Sequence, residues 1–163
     1  MDLLDSFVSR YVKEYDYYEQ VARIAAKELE SNLQAEGIRC IVTSRAKSAT
    51  RLEEKLRQRS LRRPYESVEE IYSDIVDLAG VRVAVYFPGE REQVGKIVSR
   101  LFVEYEPRRV FPSGAQGVRS KRFSGYSALH YRVRLRPQDL SESERRYASA
   151  NIEIQVASVL MHA

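Results

Sequence analysis

Two carboxylates in this chain arrive on apolar strand-like runs. An acid held rigidly suits a magnesium ion, which takes few protein carboxylates and demands near-octahedral geometry. The first is Asp77, at the mouth of Val81-Arg82-Val83-Ala84-Val85-Tyr86-Phe87, a β-branched run expected to be a buried strand after a turn at Ala79-Gly80. The second is Glu153, in Asn151-Ile152-Glu153-Ile154-Gln155-Val156, where alternation sets Glu153 and Gln155 on one face and the aliphatic residues on the other. Arg82 lies inside the first run, where a buried unpaired cation is costly, so it is expected at a strand edge or facing something anionic or aromatic. Cations cluster from Arg45 to Arg63, and Lys47, Arg51 and Lys55 recur every four residues, the spacing of one helix face; Arg119, Lys121 and Arg122 form a second cluster. Two strand-borne acids with two basic clusters fit magnesium-dependent phosphoryl or pyrophosphoryl transfer. The plainer alternatives are that Asp77 caps a helix or makes a local ion pair, and that the basic face, offset by Glu53 and Glu54, meets only solvent.

Other chemistries lack their residues. Neither G-x-x-x-x-G-K-[ST] nor G-x-G-x-x-G occurs, which excludes a P-loop or Rossmann nucleotide site. His130 has no nucleophile elbow beside it for serine hydrolysis. One cysteine and two histidines cannot make a structural zinc site, and Cys40, within Ile38-Arg39-Cys40-Ile41-Val42, is expected to pack rather than react.

The elements that must position these side chains follow from periodicity. From Asp5 to about Glu36 apolar residues recur at three and four, predicting one or two amphipathic helices closed by Gly37, with the tyrosines from Tyr11 to Tyr18 as packing rather than a partner-binding stripe. A short strand over Ile38 to Ser44 leads to a basic helix ending near Ser60. Ser67-Val68-Glu69-Glu70 reads as a capping box opening the helix that delivers Asp77. Glu90 to Val103 is a further amphipathic helix, and Glu106 to Ser124 a mobile loop with one short strand at Arg109 to Phe111. The strand Tyr131 to Arg136 alternates arginines onto one face, and a polar insertion with a short helix at Glu142 to Tyr147 precedes the final strand. The elements run strand, helix, strand, helix.

The 163 residues, 44% hydrophobic with net charge +4, suit one domain with a sizeable core: residues 1–37 as a helical scaffold and 38–163 as the working core. No apolar run approaches membrane-spanning length and Met1 to Tyr11 lacks the order of a signal peptide, so a cytoplasmic protein without membrane partners is expected.

Four segments in order, SRAKSATRLEEKL (44 to 56), DLAGVRV (77 to 83), SGYSALHYRV (124 to 133) and EIQV (153 to 156), resemble the RelA/SpoT synthetase domain, the alarmone synthetases. The resemblance covers about residues 38 to 163. It implies an α+β fold, a mixed β-sheet flanked by helices, nucleotidyltransferase-like, and transfer of pyrophosphate from ATP to the 3′-hydroxyl of GDP or GTP to make (p)ppGpp. By matching positions it assigns ATP and its phosphates to Arg45, Lys47, Ser48, Lys55 and Arg82, with Arg45 and Arg82 on the adenine. Magnesium goes to Asp77 with Glu153, and the general base is Glu153. The acceptor goes to Tyr126 as guanine-stacking ring with Lys121, Arg122, His130 and Gln155. Departures are Arg51 where many members carry serine, Ser124 where many carry asparagine, and Ala157-Ser158 where the bacterial pattern is Arg-Thr. The family continues through a further helix where this chain stops at Ala163, which implies a truncated core. No H…HD hydrolase motif is present. Alternatives within the same fold are a pyrophosphokinase whose acceptor is an adenine nucleotide or the 3′ end of tRNA, the one case with a nucleic-acid partner, and a regulatory nucleotide-binding module that has lost catalysis; a homo-oligomer stays open.

Overall fold

The computed structural model describes residues 2–111 and 128–159. The N-terminal periodicity forms a single helix, α1 (Leu3–Ala35), capped by the Asp2 side chain on the amide of Asp5 and closed by Gly37 at φ 75°, a conformation glycine adopts without cost. Its buried stripe, Phe7, Tyr11, Tyr18, Val21, Ala22, Ala25, Leu29 and Leu33, packs over β1 (Cys40–Ala46) and β2 (Ala79–Val85). Between these strands lie α2 (Ala49–Arg62), capped by Ser48, and α3 (Val68–Asp74), capped by Ser67. The Glu70 carboxylate reaches back one residue further than a capping box requires, accepting from the amide of Glu66.

Several boundaries differ from expectation, beginning with β1, which spans Cys40–Ala46 where Ile38 to Ser44 was expected. Ala79 and Gly80 are the first residues of β2 rather than a turn, because both pair with the end of β1, Ala46 with Ala79 and Arg45 with Gly80. Tyr86 and Phe87 fall beyond the strand and are exposed. The helix after Pro88 stops earlier, α4 spanning Arg91–Leu101, and the segment expected to be mostly loop begins as a ten-residue strand, β3 (Phe102–Phe111). Pro107 concealed it: proline cannot donate to a ladder, but β3 is an edge strand and shifts register between Glu104 and Glu106 and again between Glu106 and Arg109, where a missing N–H is tolerated.

With β4 (Ala128–Leu135) and β5 (Ile152–Ser158) the sheet has five strands in the order β1-β2-β5-β4-β3. β2 and β5 run parallel and the other neighbours antiparallel, giving the mixed sheet expected. Before β5 the polar insertion makes two 3-10 turns, Pro137–Asp139 and Glu142–Tyr147, the second opened by a capping box of Ser141 and Glu144. Val81, Val83, Val85, Tyr131, Val133, Leu135, Ile152, Ile154 and Val156 are all buried, and they share the sheet face that α1 and α4 cover. By the two-residue period of a strand, the alternate side chains stand on the opposite face, and the chemistry-bearing residues are there. Among the described residues no helix is long and apolar enough to cross a membrane.

Candidate active site

Strand pairing lines up two rows across that opposite face. One runs Arg45, Gly80, Glu153, Arg132 and Glu106; the next runs Thr43, Arg82, Gln155, His130 and Arg109. Gly80, between Arg45 and Glu153, leaves the floor open where a larger side chain would fill it. A cavity of about 210 Å³ sits there, walled by Arg45, Asp77, Arg82, Glu153 and Gln155 with Thr43, Ser44, Gly80 and Val81. Both acids singled out in the sequence therefore meet in one pocket.

Asp77 stands in the short link between α3 and β2 rather than on the helix. Its two oxygens each accept from an ammonium: Lys47 Nζ is 2.9 Å from Oδ2 and Lys55 Nζ 3.1 Å from Oδ1. Burial pushes the Asp77 carboxyl up, but the Lys47 hydrogen bond and the charges of Lys55 and Lys47 outweigh it and hold the group below the ordinary aspartate value. Asp77 thus makes the local ion pair of the plainer alternative, and it does so at the wall of the cavity. Lys47 is held along its backbone, its N–H donating to Leu78 O at 2.9 Å and its carbonyl accepting from Tyr11 Oη at 2.6 Å. Lys47 precedes α2, so the three basic residues expected on one helix face divide: Lys47 and Lys55 converge on Asp77 while Arg51 faces solvent.

Glu153 is a buried charged residue at the centre of the sheet. Gln155 Nε2 donates to its Oε1 at 3.0 Å and His130 Nδ1 lies 3.6 Å from the same oxygen. Burial raises its carboxyl, as does the nearby Asp77 charge; His130 and Gln155 prevail and keep it below the ordinary glutamate value. The His130 ring packs on Phe111 with centroids 4.3 Å apart. Arg45 and Arg82 are exposed at the pocket wall; Arg82 is on an inner strand and not at the sheet edge expected, and it lines the cavity together with the carboxylates Asp77 and Glu153. Ser48 caps α2, accepting from Arg51 N at 3.2 Å, and does not line the cavity. Tyr126, Lys121 and Arg122 lie outside the described residues.

Three further participants come from the structure. Thr43 shares the pocket wall, as the alternation of CIVTSRA with Arg45 could have signalled. Arg132, in register with Glu153, has its Nη1 bound to Glu106 Oε2 at 2.6 Å. Tyr11 fixes Lys47 from α1, a contact across 36 positions with no local sequence signal. As metal donors, Asp77 and Glu153 are all-oxygen and two in number, and among the described residues no group of three or more ligating side chains exists. That donor set fits magnesium, which uses one or two carboxylates and leaves its other positions to water and substrate phosphates.

Residues 44–163 match the family model described as a region found in RelA / SpoT proteins, and the chain belongs to that family. No curated protein matches the chain. Solved structures with the same fold include the small alarmone synthetase 1 from Bacillus subtilis, 20% identical, covering 94% of this chain and 73% of that one at a TM-score of 0.68. The same enzyme bound to its product pppGpp is 21% identical over 94% of this chain and 75% of that one, TM-score 0.65. A GTP pyrophosphokinase family protein from Streptococcus pneumoniae is 20% identical over 94% and 71%, TM-score 0.66. At these identities the likeness carries the fold.

Proposed function

We propose that the protein is an alarmone synthetase, moving the β,γ-pyrophosphate of ATP to the 3′-hydroxyl of GDP or GTP with release of AMP. The observation that carries this is the meeting of Asp77 and Glu153 in one pocket ringed by Lys47, Lys55, Arg45 and Arg82. Family membership supports it, and the neighbours bound to pppGpp and to AMPCPP support nucleotides as the ligand class.

In this scheme Lys47 and Lys55 hold the triphosphate, and Arg45 and Arg82 clamp the adenine from the exposed wall, since a guanidinium plane stacks on a base as well as pairing with phosphate. Glu153 Oε1 is engaged by Gln155, which leaves Oε2 to take the 3′-hydroxyl proton as that oxygen attacks the β-phosphorus. A carboxylate of lowered proton affinity is ionised at neutral pH and a weak base, which suits late proton transfer in a loose phosphoryl-transfer transition state. Asp77 and Glu153 would hold a magnesium ion, which supplies neutralisation of phosphate charge. Positioning and charge compensation then provide most of the rate. On the β3 and β4 side His130, stacked on Phe111, would receive the acceptor, with Tyr126, Lys121 and Arg122 in the acceptor roles that the family resemblance gives them.

The test is incubation with γ-labelled ATP and magnesium and, separately, GDP, GTP, AMP, ADP or tRNA, followed by product resolution. Label in a guanosine 3′-pyrophosphate is expected. Label in an adenine nucleotide or tRNA would replace the acceptor, and ATP binding with no labelled acceptor would replace synthesis with a regulatory nucleotide-binding role.

A further inference from the structure

Asp77 carries a feature that nucleotide transfer does not by itself require: both of its oxygens are already occupied by cations from the same chain. The trio is sheltered, with side-chain exposures of 12% for Lys47, 18% for Asp77 and 26% for Lys55, so little water screens it. The lysines reach Asp77 from different anchors. Lys47 is pinned along its backbone by Tyr11 and Leu78, and Lys55 projects from α2. A lysine ammonium on a four-carbon stem can swing by a few ångströms while its backbone stays fixed. Arg45 and Arg82 line the cavity with Asp77 and Glu153, and Lys47 and Lys55 stand behind it on Asp77, so the cluster as a whole sets four cations against two carboxylates. Such a cluster repels a free dication and attracts a polyphosphate, to which lysine is a natural point-charge partner.

Resting on the synthetase assignment above, we infer that Lys47 and Lys55 form an internal lock on Asp77: they stand where a divalent ion would bind, and leave only when a polyphosphate draws both ammonium groups onto its own oxygens. Metal and nucleotide then load together, and the empty enzyme has no site for magnesium alone. The lock also prevents Asp77 and Glu153, close enough to repel each other, from standing as uncompensated acids between turnovers.

Free Mn2+ is followed by electron paramagnetic resonance in nucleotide-free protein. Wild type is expected to bind weakly, Lys47→Met and Lys55→Met each to bind at least about tenfold more tightly, and Asp77→Asn added to either to remove the gain. Stoichiometric Mn2+ binding by the nucleotide-free wild type, or no tightening in folded lysine variants, would overturn the lock. Because the variants strand a buried acid and can lose stability, a second measurement uses wild type alone, detecting lysine ammonium groups by 15N resonance. Two exchange-protected signals should persist through Mg2+ addition and shift together when Mg2+ is added with AMPCPP, or with inorganic triphosphate, which offers the phosphates without a base. Movement with Mg2+ alone, or none with either polyphosphate, counts against it. Neither measurement uses turnover: an intact lock without pyrophosphate transfer condemns the synthetase assignment, and transfer without the lock condemns only the lock.

Discussion

Gly95 offers a quantitative test of how the helix layer seats the sheet. A Cβ built on it would lie 2.2 Å from Tyr131 Oη, 3.1 Å from Cζ and 3.7 Å from Cε1. Tyr131 is a core residue on β4, only 2% exposed, and its sequence neighbours His130 and Arg132 stand on the opposite face, where the cavity lies. Gly95→Ala must therefore displace a packed ring by about an ångström, and overpacking of this kind costs roughly 1–3 kcal/mol. Against that, replacing glycine by alanine inside a helix returns about 1 kcal/mol. The expected net loss is roughly 0–2 kcal/mol, read as a lower urea midpoint at unchanged m. In a Tyr131→Phe background the 2.2 Å contact is gone; the hydroxyl's bond from Arg108 Nη1, at 3.4 Å, is long, so its loss is small. Gly95→Ala should then be neutral or stabilising, giving a coupling energy of about 1–2 kcal/mol in the double-mutant cycle. A cycle with no coupling, or a single Gly95→Ala variant clearly more stable than wild type, would refute the seating of α4 on Tyr131.

Glu153→Gln keeps shape and removes the proton acceptor, so kcat should fall by roughly 10²–10⁴ with acceptor KM little changed; a drop in KM affinity alone, measured by initial rates, would make Glu153 a binding residue. The Asp77 and Glu153 carboxyls both lie below their ordinary values when folded, so they add stability above those values that is lost as pH falls through the folded ones. Acid titration of the urea midpoint should show this decline below about pH 5, and Asp77→Asn should flatten it; a decline of equal steepness in the variant would detach it from Asp77. Tyr126→Ala is expected to raise acceptor KM and leave ATP KM alone, and equal values for wild type and variant would take Tyr126 out of the acceptor site.

The N-terminal helical region closed by Gly37 and the strand that carries Glu153 were legible because helical periodicity and alternation are written locally, whereas the mixed sheet followed from the family resemblance and not from any local pattern. What sequence could not provide is register. Ala79-Gly80 look like a turn until Arg45 and Ala46 pair with them, and Pro107 argues against a strand unless that strand is known to be an edge. The pairing of Asp77 with Lys47 and Lys55 spans 30 and 22 positions and depends on where the β1 to α2 turn deposits Lys47. The four-residue spacing of Lys47, Arg51 and Lys55 therefore suggested a shared face where the chain makes a convergent pair and one solvated arginine.

The strand order β1-β2-β5-β4-β3 makes the last strand in sequence the keystone of the sheet. Without β5, β1 and β2 form one antiparallel pair and β3 and β4 another, with no ladder between them. Glu153 thus arrives only with β5, so a chain emerging from the ribosome holds Asp77 and its lysines well before it holds the second acid, and cannot assemble its pocket until β5 has been made. The same topology gives natural selection two separable halves: substitutions on β3 and β4 can retune one side of the pocket while the ladder between β1 and β2, with the Asp77 cluster beside it, keeps its register.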